Sequence, residues 1–140
     1  MTLTEKNETA TGEQQAENLK IRMKIIDMIE YALPLIEKWS VPHQKLLGDK
    51  MALCMEEMLE LASELEWAYS KKTPHKNLDM KNKALQDFIT LAYRMKYLKG
   101  SSSHAEWTRR SKEIGSMLGG YKKWLYDDTP AKNKKGYQPR

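Results

Sequence analysis

Apolar residues recur at three- and four-residue spacing through most of this chain, the pattern of helices that each bury one face. The first run lies between about Asn18 and Lys38, and its spacing predicts that Met23, Ile26, Ile29, Leu33 and Ile36 face inward. Pro34 falls inside it and removes a backbone donor, which predicts a kink or a local loosening. Trp39-Ser-Val-Pro-His43 then interrupts the pattern. A second run begins at about Pro42 or Leu47 and reaches Lys71. Within it Leu47, Met51, Cys54, Met58, Leu61, Leu65 and Ala68 alternate spacings of four and three, a heptad seam. Met55, Leu59, Ala62 and Tyr69 form a second apolar line beside it. A helix with two such lines is either central in a bundle or also buried between subunits.

Thr73-Pro74 breaks the chain, with Thr suited to cap a helix and Pro to its first position. The third predicted helix carries Leu78, Leu85, Phe88, Ala92 and Met95 inward and ends at Gly100, a natural residue just past a helix end. Ser103-His-Ala-Glu106 has capping-box spacing and is predicted to start a fourth helix, which runs to about Asp127 before Thr129-Pro130 stops it. The fourth helix aligns Ile114, Met117, Leu118, Tyr121, Trp124 and Leu125, yet contains Gly115, Gly119 and Gly120. Each glycine costs about 1 kcal/mol against alanine inside a helix. Ser111, Gly115 and Gly119 stand four apart, a stripe of minimal side chains suited to a close helix contact within the subunit or between subunits.

Strand signals are missing: there is one Phe, few Val, and no useful alternating run. The chain reads as all-α. Its 140 residues suit one domain, and four helices with short links predict an up-down-up-down four-helix bundle over residues 18–128. The polar segment 1–17 is expected to be disordered, and residues 129–140 to form a basic flexible tail. No basic start or apolar stretch marks a secretory signal, and no run approaches the roughly 18 apolar residues of a membrane span. The single Cys54 cannot form an internal disulfide and reads as a small buried hydrophobe. A cytoplasmic protein without a membrane partner is the expectation.

The net charge of +5 conceals a marked asymmetry. Residues 1–72 hold 9 Lys and Arg against 13 Asp and Glu, whereas residues 73–140 hold 15 against 6. Separation of this size suggests either a directed surface, with nucleic acid as the leading partner, or a solvated basic face. The candidate binding residues are Lys76, Lys81, Lys83, Arg94 and Lys96 of the third helix and Arg109, Arg110, Lys112, Lys122 and Lys123 of the fourth. Such cations neutralise phosphates without reading sequence. Tyr93, Tyr97 and Tyr121 are candidates either for base stacking or for core packing.

Catalytic chemistry is poorly represented. His43, His75 and His104 fall in or near predicted links, and none has a partner at metal or triad spacing. Glu56-Glu57-Met-Leu-Glu60 resembles the Glu-Glu-x-x-Glu element of MazG-type nucleotide pyrophosphohydrolases, all-α enzymes that hold Mg²⁺ near a triphosphate. That site needs a second acidic pair on the next helix, where this chain offers Asp79 and Asp87, eight apart among lysines. Neither an enzyme, a metal nor a cofactor is expected. The alternative reading is a MazG-like Mg²⁺-dependent enzyme.

Three blocks carry a family resemblance: Tyr31-Ala-Leu-Pro-Leu-Ile-Glu-Lys-Trp39, Leu47-Gly48-Asp49-Lys50, and Glu113-Ile-Gly-Ser-Met-Leu-Gly-Gly-Tyr121. Over about residues 20–126 the chain resembles the accessory variability (Avd) proteins of diversity-generating retroelements, themselves similar to bundle proteins encoded in ribosomal RNA intervening sequences. The resemblance implies a homopentameric ring of four-helix bundles. It also implies a non-catalytic protein that binds the retroelement reverse transcriptase and RNA or DNA during mutagenic cDNA synthesis. Ser116 stands where relatives of that family often carry Arg, and Tyr121 stands for their usual Trp. An intervening-sequence bundle protein of unassigned role is the neighbouring alternative.

Overall fold

The computed structural model of the protein describes residues 2–127, all of them in helices or short links. Helix α1 spans Thr2–Glu37. The turn α2, Val41–His43, passes through a π-helical turn at Gln44–Gly48 into α3, Asp49–Trp67. Helices α4, Lys72–Arg94, and α5, Gly100–Asp127, follow. The segment from α2 to α3 behaves as one rod, so four rods form the bundle. Helix α1 packs on α3 and α5, and α4 packs on the same two neighbours. This is the four-helix architecture expected from the spacing. The expected stop at Thr129-Pro130 and the basic tail lie outside the described residues.

Helical backbone extends back to Thr2, where the sequence suggests disorder through residue 17. Among the described side chains the first buried one is Asn18, so contact with the bundle starts where the apolar spacing starts. The inward face of α1 differs from the expected one. Ile21, Ile25, Met28, Ala32 and Ile36 are buried, while Met23 is exposed and Ile26, Ile29 and Leu33 are half-buried. Both sets have helical spacing, and a helix this apolar offers two faces that local pattern cannot rank. On α3 the deepest line is Met51, Met55, Met58, Ala62 and Leu65, with Leu47 and Cys54 beside it. Leu61 is half-buried, and Tyr69 is wholly exposed because α3 ends at Trp67, short of the expected Lys71. On α4, Ile89 is buried and Met95 is exposed, the reverse of their expected importance. On α5 the seam is Trp107, Ser111, Ile114, Leu118 and Tyr121, a heptad run that opens on a completely buried indole.

The links explain these shifts. Gly48 closes the π turn against α1, where an added Cβ would lie 2.8 Å from Ile36 Cγ2 and 3.4 Å from Trp39 Cε3. The extra residue of the π turn rotates α3 relative to α2 and brings Leu47 and Gly48 inward together. Gln44 Nε2 donates to the carbonyls of Glu37 and Trp39, both at 2.9 Å, and so satisfies groups left open where α1 ends.

Helix α4 starts at Lys72, one residue before Thr73, so Thr73 is not its cap. Its end differs too. Lys96 adopts φ 66°, and the N–H groups of Lys96 and Tyr97 donate back to Tyr93 and Ala92 at 3.0 and 2.8 Å. That is a left-handed helix cap with Lys96 in the place glycine usually takes. Gly100 instead supplies positive φ, 82°, at the first residue of α5. Since α5 begins there, Ser103 lies inside the helix and the expected capping box does not form; Glu106 binds Arg109 and Arg110 instead.

Candidate nucleic-acid interface

Residues 76, 83 and 94 are separated by seven and eleven positions, close to two and three turns of helix, so Lys76, Lys83 and Arg94 share one outward line on α4. Lys112 and Lys123 are likewise eleven apart on α5, with Lys122 beside them. All six are exposed. Helices α4 and α5 are adjacent, and between them Gln86, Asp87, Ile89, Thr90, His104, Thr108 and Lys112 line a hollow of about 250 Å³. Beside it His104 stacks on Tyr93, with ring centres 4.1 Å apart and planes inclined by 18°. Tyr93 is 39% exposed, whereas Tyr97 and Tyr121 are buried. Of the three candidate stacking tyrosines, Tyr93 has a ring available to a base. Tyr97 packs between Trp39 and His43, and Tyr121 lies against His75 and Trp124.

The ten candidate cations separate into two groups. Lys81 pairs with Glu57 at 2.6 Å, and Lys83 with Asp79 at 2.7 Å. Arg109 pairs with Glu106 at 2.8 Å and Glu113 at 3.3 Å. Arg110 pairs with Glu106 at 2.6 Å and sits over the Tyr31 ring at 4.3 Å. Lys76, Arg94, Lys96, Lys112, Lys122 and Lys123 make no ion pair among the described residues. Two arginine side chains on Glu106 hold its carboxyl down at about 2, the bonds from Arg109 contributing most. Glu113 is lowered by Lys24, 3.0 Å away on α1, and then by Arg109. Arg110 thus serves the α1/α5 seam, and Arg109 the carboxylates of its own helix, before either serves any ligand.

The small-residue stripe also divides. Ser111 is buried against α4: Asn82 Nδ2 donates to the Ser111 carbonyl at 3.0 Å, and Ser111 Oγ donates to Asn82 Oδ1 at 3.2 Å. A Cβ on Gly115 would lie 3.2 Å from Asn82 Nδ2, so α4 and α5 approach closely here. Gly119 and Gly120 are exposed, and a Cβ on either would meet nothing within 4 Å.

The acidic motif lies on the other side of α4. Glu57 is engaged by Lys81, and that contact raises the lysine's affinity for its proton. Among the described residues no group of three or more His, Cys, Asp or Glu is arranged to hold a metal ion. Cys54 is buried and donates to the Lys81 carbonyl at 3.4 Å; burial pushes its thiol up. The spacing places His75 near a link, but it is buried within α4, its Nε2 2.7 Å from the Leu118 carbonyl. Neither the Asn82–Ser111 nor the His75–Leu118 contact follows from the sequence pattern. The signal is faint: His75, Asn82 and Ile89 are seven apart, an inward line containing two polar residues.

The described residues form an all-helical, four-helix protein with Glu57, Glu60 and Glu64 lining the α3 side of α4 and exposed lysines on its α5 side. Residues 19–125 match the family described as bAvd-like, and the chain belongs to that family. It is an Avd-like protein, as the blocks around Tyr31 and Glu113 suggest. No curated protein and no solved structure matches it. Among the described residues no helix is long and apolar enough to cross a membrane.

Proposed function

We propose that this protein is a non-catalytic, cytoplasmic accessory factor of a diversity-generating retroelement, binding RNA or DNA together with the element's reverse transcriptase. The observation that carries the reading is the α4/α5 face, where Lys76, Arg94, Lys112, Lys122 and Lys123 stand exposed and make no ion pair among the described residues, with the Tyr93–His104 stack beside Arg94 at one end and Lys76, Lys122 and Lys123 toward the other. Membership of the bAvd-like family supports it. Cations held on rigid helices attract a phosphate backbone through counterion release, and an exposed aromatic stack suits unpaired bases.

The proposal includes assembly as a homopentameric ring. Leu19 and Met23 on α1 and Leu53 and Trp67 on α3 are exposed, Trp67 by 75%. The Arg22–Glu66 ion pair brings these helices together at the Met23–Trp67 level. An apolar face of this kind suits a subunit contact. A ring would repeat the basic face around an axis and turn weak contacts into avidity.

The test is binding to single-stranded RNA and DNA as a function of salt. Wild-type affinity should fall steeply as salt rises. Replacing Lys76, Arg94 and Lys112 together by Gln should flatten the log–log slope by about 2, at roughly 0.7 for each phosphate no longer neutralised. Absent binding to both nucleic acids, or binding indifferent to salt, overturns the proposal. Capture of the cognate reverse transcriptase by wild-type protein, compared with the same triple variant, tests the second partner.

A further inference from the structure

The groove between α3 and α4 has an apolar floor and an acidic rim, and nothing in the described chain fills it. Leu61, Met80 and Ala84 form the floor, and Glu57, Glu60, Glu64, Asn77 and Lys81 complete the walls around about 590 Å³. Met80 is 59% exposed, a large apolar side chain facing an open channel. Glu60 and Glu64 make no ion pair among the described residues, and Lys81, the one cation lining the groove, is already neutralised by Glu57. From Asp49 to Trp67, six carboxylates face a single cation, Lys50.

The complementary segment exists in the same chain. Residues 131–140 read Ala-Lys-Asn-Lys-Lys-Gly-Tyr-Gln-Pro-Arg, with Lys132, Lys134, Lys135 and Arg140 and no acidic residue. Tyr137 and Pro139 supply apolar surface for the floor. The exit point is close. Lys72, the first residue of α4, holds its ammonium 4.7 Å from the Tyr126 ring near the end of α5. Asn77, at the near end of the groove, lies five residues further along α4, a rise of about 7.5 Å. Crossing to the far flank of α4 means passing one helix, about 10 Å wide. Lys132 to Lys135 follow Asp127 by five to eight residues, a reach of about 16–28 Å when extended.

We propose that segment 131–140 docks in the α3/α4 groove of its own subunit, its lysines on Glu60 and Glu64 and Tyr137 over Leu61 and Met80. Tethering makes the effective concentration of the segment high, so individually weak ion pairs suffice. Nucleic acid is the wrong occupant, since its phosphates would face Glu60 and Glu64. The docking does not depend on the proposed nucleic-acid role.

Zero-length carbodiimide coupling of the full chain, read by mass spectrometry, tests it. At about 0.1 M salt the main tail products should join Lys132, Lys134 or Lys135 to Glu60 or Glu64. At about 1 M salt, where the screening length falls from about 10 to about 3 Å, they should disappear. In an equal mixture of ¹⁵N-labelled and unlabelled protein, linked peptides should carry one isotope on both halves. A second readout avoids coupling chemistry: trypsin should cut after Lys134 and Lys135 several-fold more slowly in wild type than in Glu60→Gln/Glu64→Gln. Tail lysines that couple equally to Glu30 and Asp49, isotopically mixed pairs, or equal trypsin rates each overturn the proposal. Mixed pairs would assign the groove to a neighbouring copy, and protection that follows an added basic helix rather than the tail would assign it to another protein.

Discussion

The glycines of α5 and of the π turn give opposite expectations from the same substitution. At Gly119 and Gly120 an added Cβ meets no heavy atom within 4 Å, so alanine introduces no clash and removes backbone freedom from the unfolded chain. Each replacement should stabilise the bundle by about 1 kcal/mol. For a folded unit of about 110 residues that corresponds to roughly 4 °C in Tm per site, and roughly 8 °C for the pair. At Gly48 the new Cβ would sit 2.8 Å from Ile36 Cγ2 and 3.4 Å from Trp39 Cε3. The Ile36 methyl hangs on a β-branched carbon with one strongly preferred rotamer, so it yields poorly. Overpacking of this kind costs about 1–3 kcal/mol, and Gly48→Ala should lower Tm. Thermal unfolding by circular dichroism, at several protein concentrations, measures all three. A lower Tm for Gly119→Ala at every concentration would refute the reasoning about open space. A destabilisation that appears only where the protein is assembled would place Gly119 in a subunit contact. A raised Tm for Gly48→Ala would mean that the π turn is not held shut by Ile36 and Trp39.

Three further outcomes are expected. Asn82→Ala should destabilise by about 2 kcal/mol, because it strands the buried Ser111 hydroxyl; adding Ser111→Ala should recover part of that stability in a double-mutant cycle by chemical denaturation. Lys96→Gly should raise stability by about 1 kcal/mol by relieving the positive φ, while Lys96→Ala should not, a contrast that separates backbone strain from charge. Glu106 has its folded value depressed from 4.5 to about 2, so its contribution is full above pH 4.5 and fades as pH falls toward 2. Glu106→Gln should therefore flatten the stability profile in that window, and a carboxyl carbon titration by NMR should place the wild-type midpoint near 2.

Where a residue's role depends on spacing within one helix, the primary structure is a good guide. Leu78, Leu85, Ala92, Ile114, Leu118 and Tyr121 all lie where periodicity places them. It is a poor guide where two faces compete. On α1, Ile21, Ile25 and Met28 are buried in place of Met23, Ile26 and Ile29, and nothing local distinguishes two apolar stripes until a partner covers one. Helix ends depart from expectation for a related reason. Lys96 takes a glycine's conformation because Tyr97 and Leu98 must turn inward directly after it, a long-range demand that no turn propensity encodes.

The cationic candidates show the same division. The charge imbalance between the two halves of the chain is readable residue by residue, because charge is additive along a sequence. Which charges remain available is not, because pairing depends on distances across the bundle. Arg109 and Arg110 look like binding residues in a linear reading, yet folding commits both to Glu106, and Lys81 to Glu57. Helix count, heptad spacing, family and overall basicity therefore follow from local and compositional properties. The choice of inward face, the acidic groove beside α4, the buried Asn82–Ser111 pair and the cross-helix engagement of Lys81 by Glu57 arise only when four helices meet, since each is a relation between residues far apart in the chain.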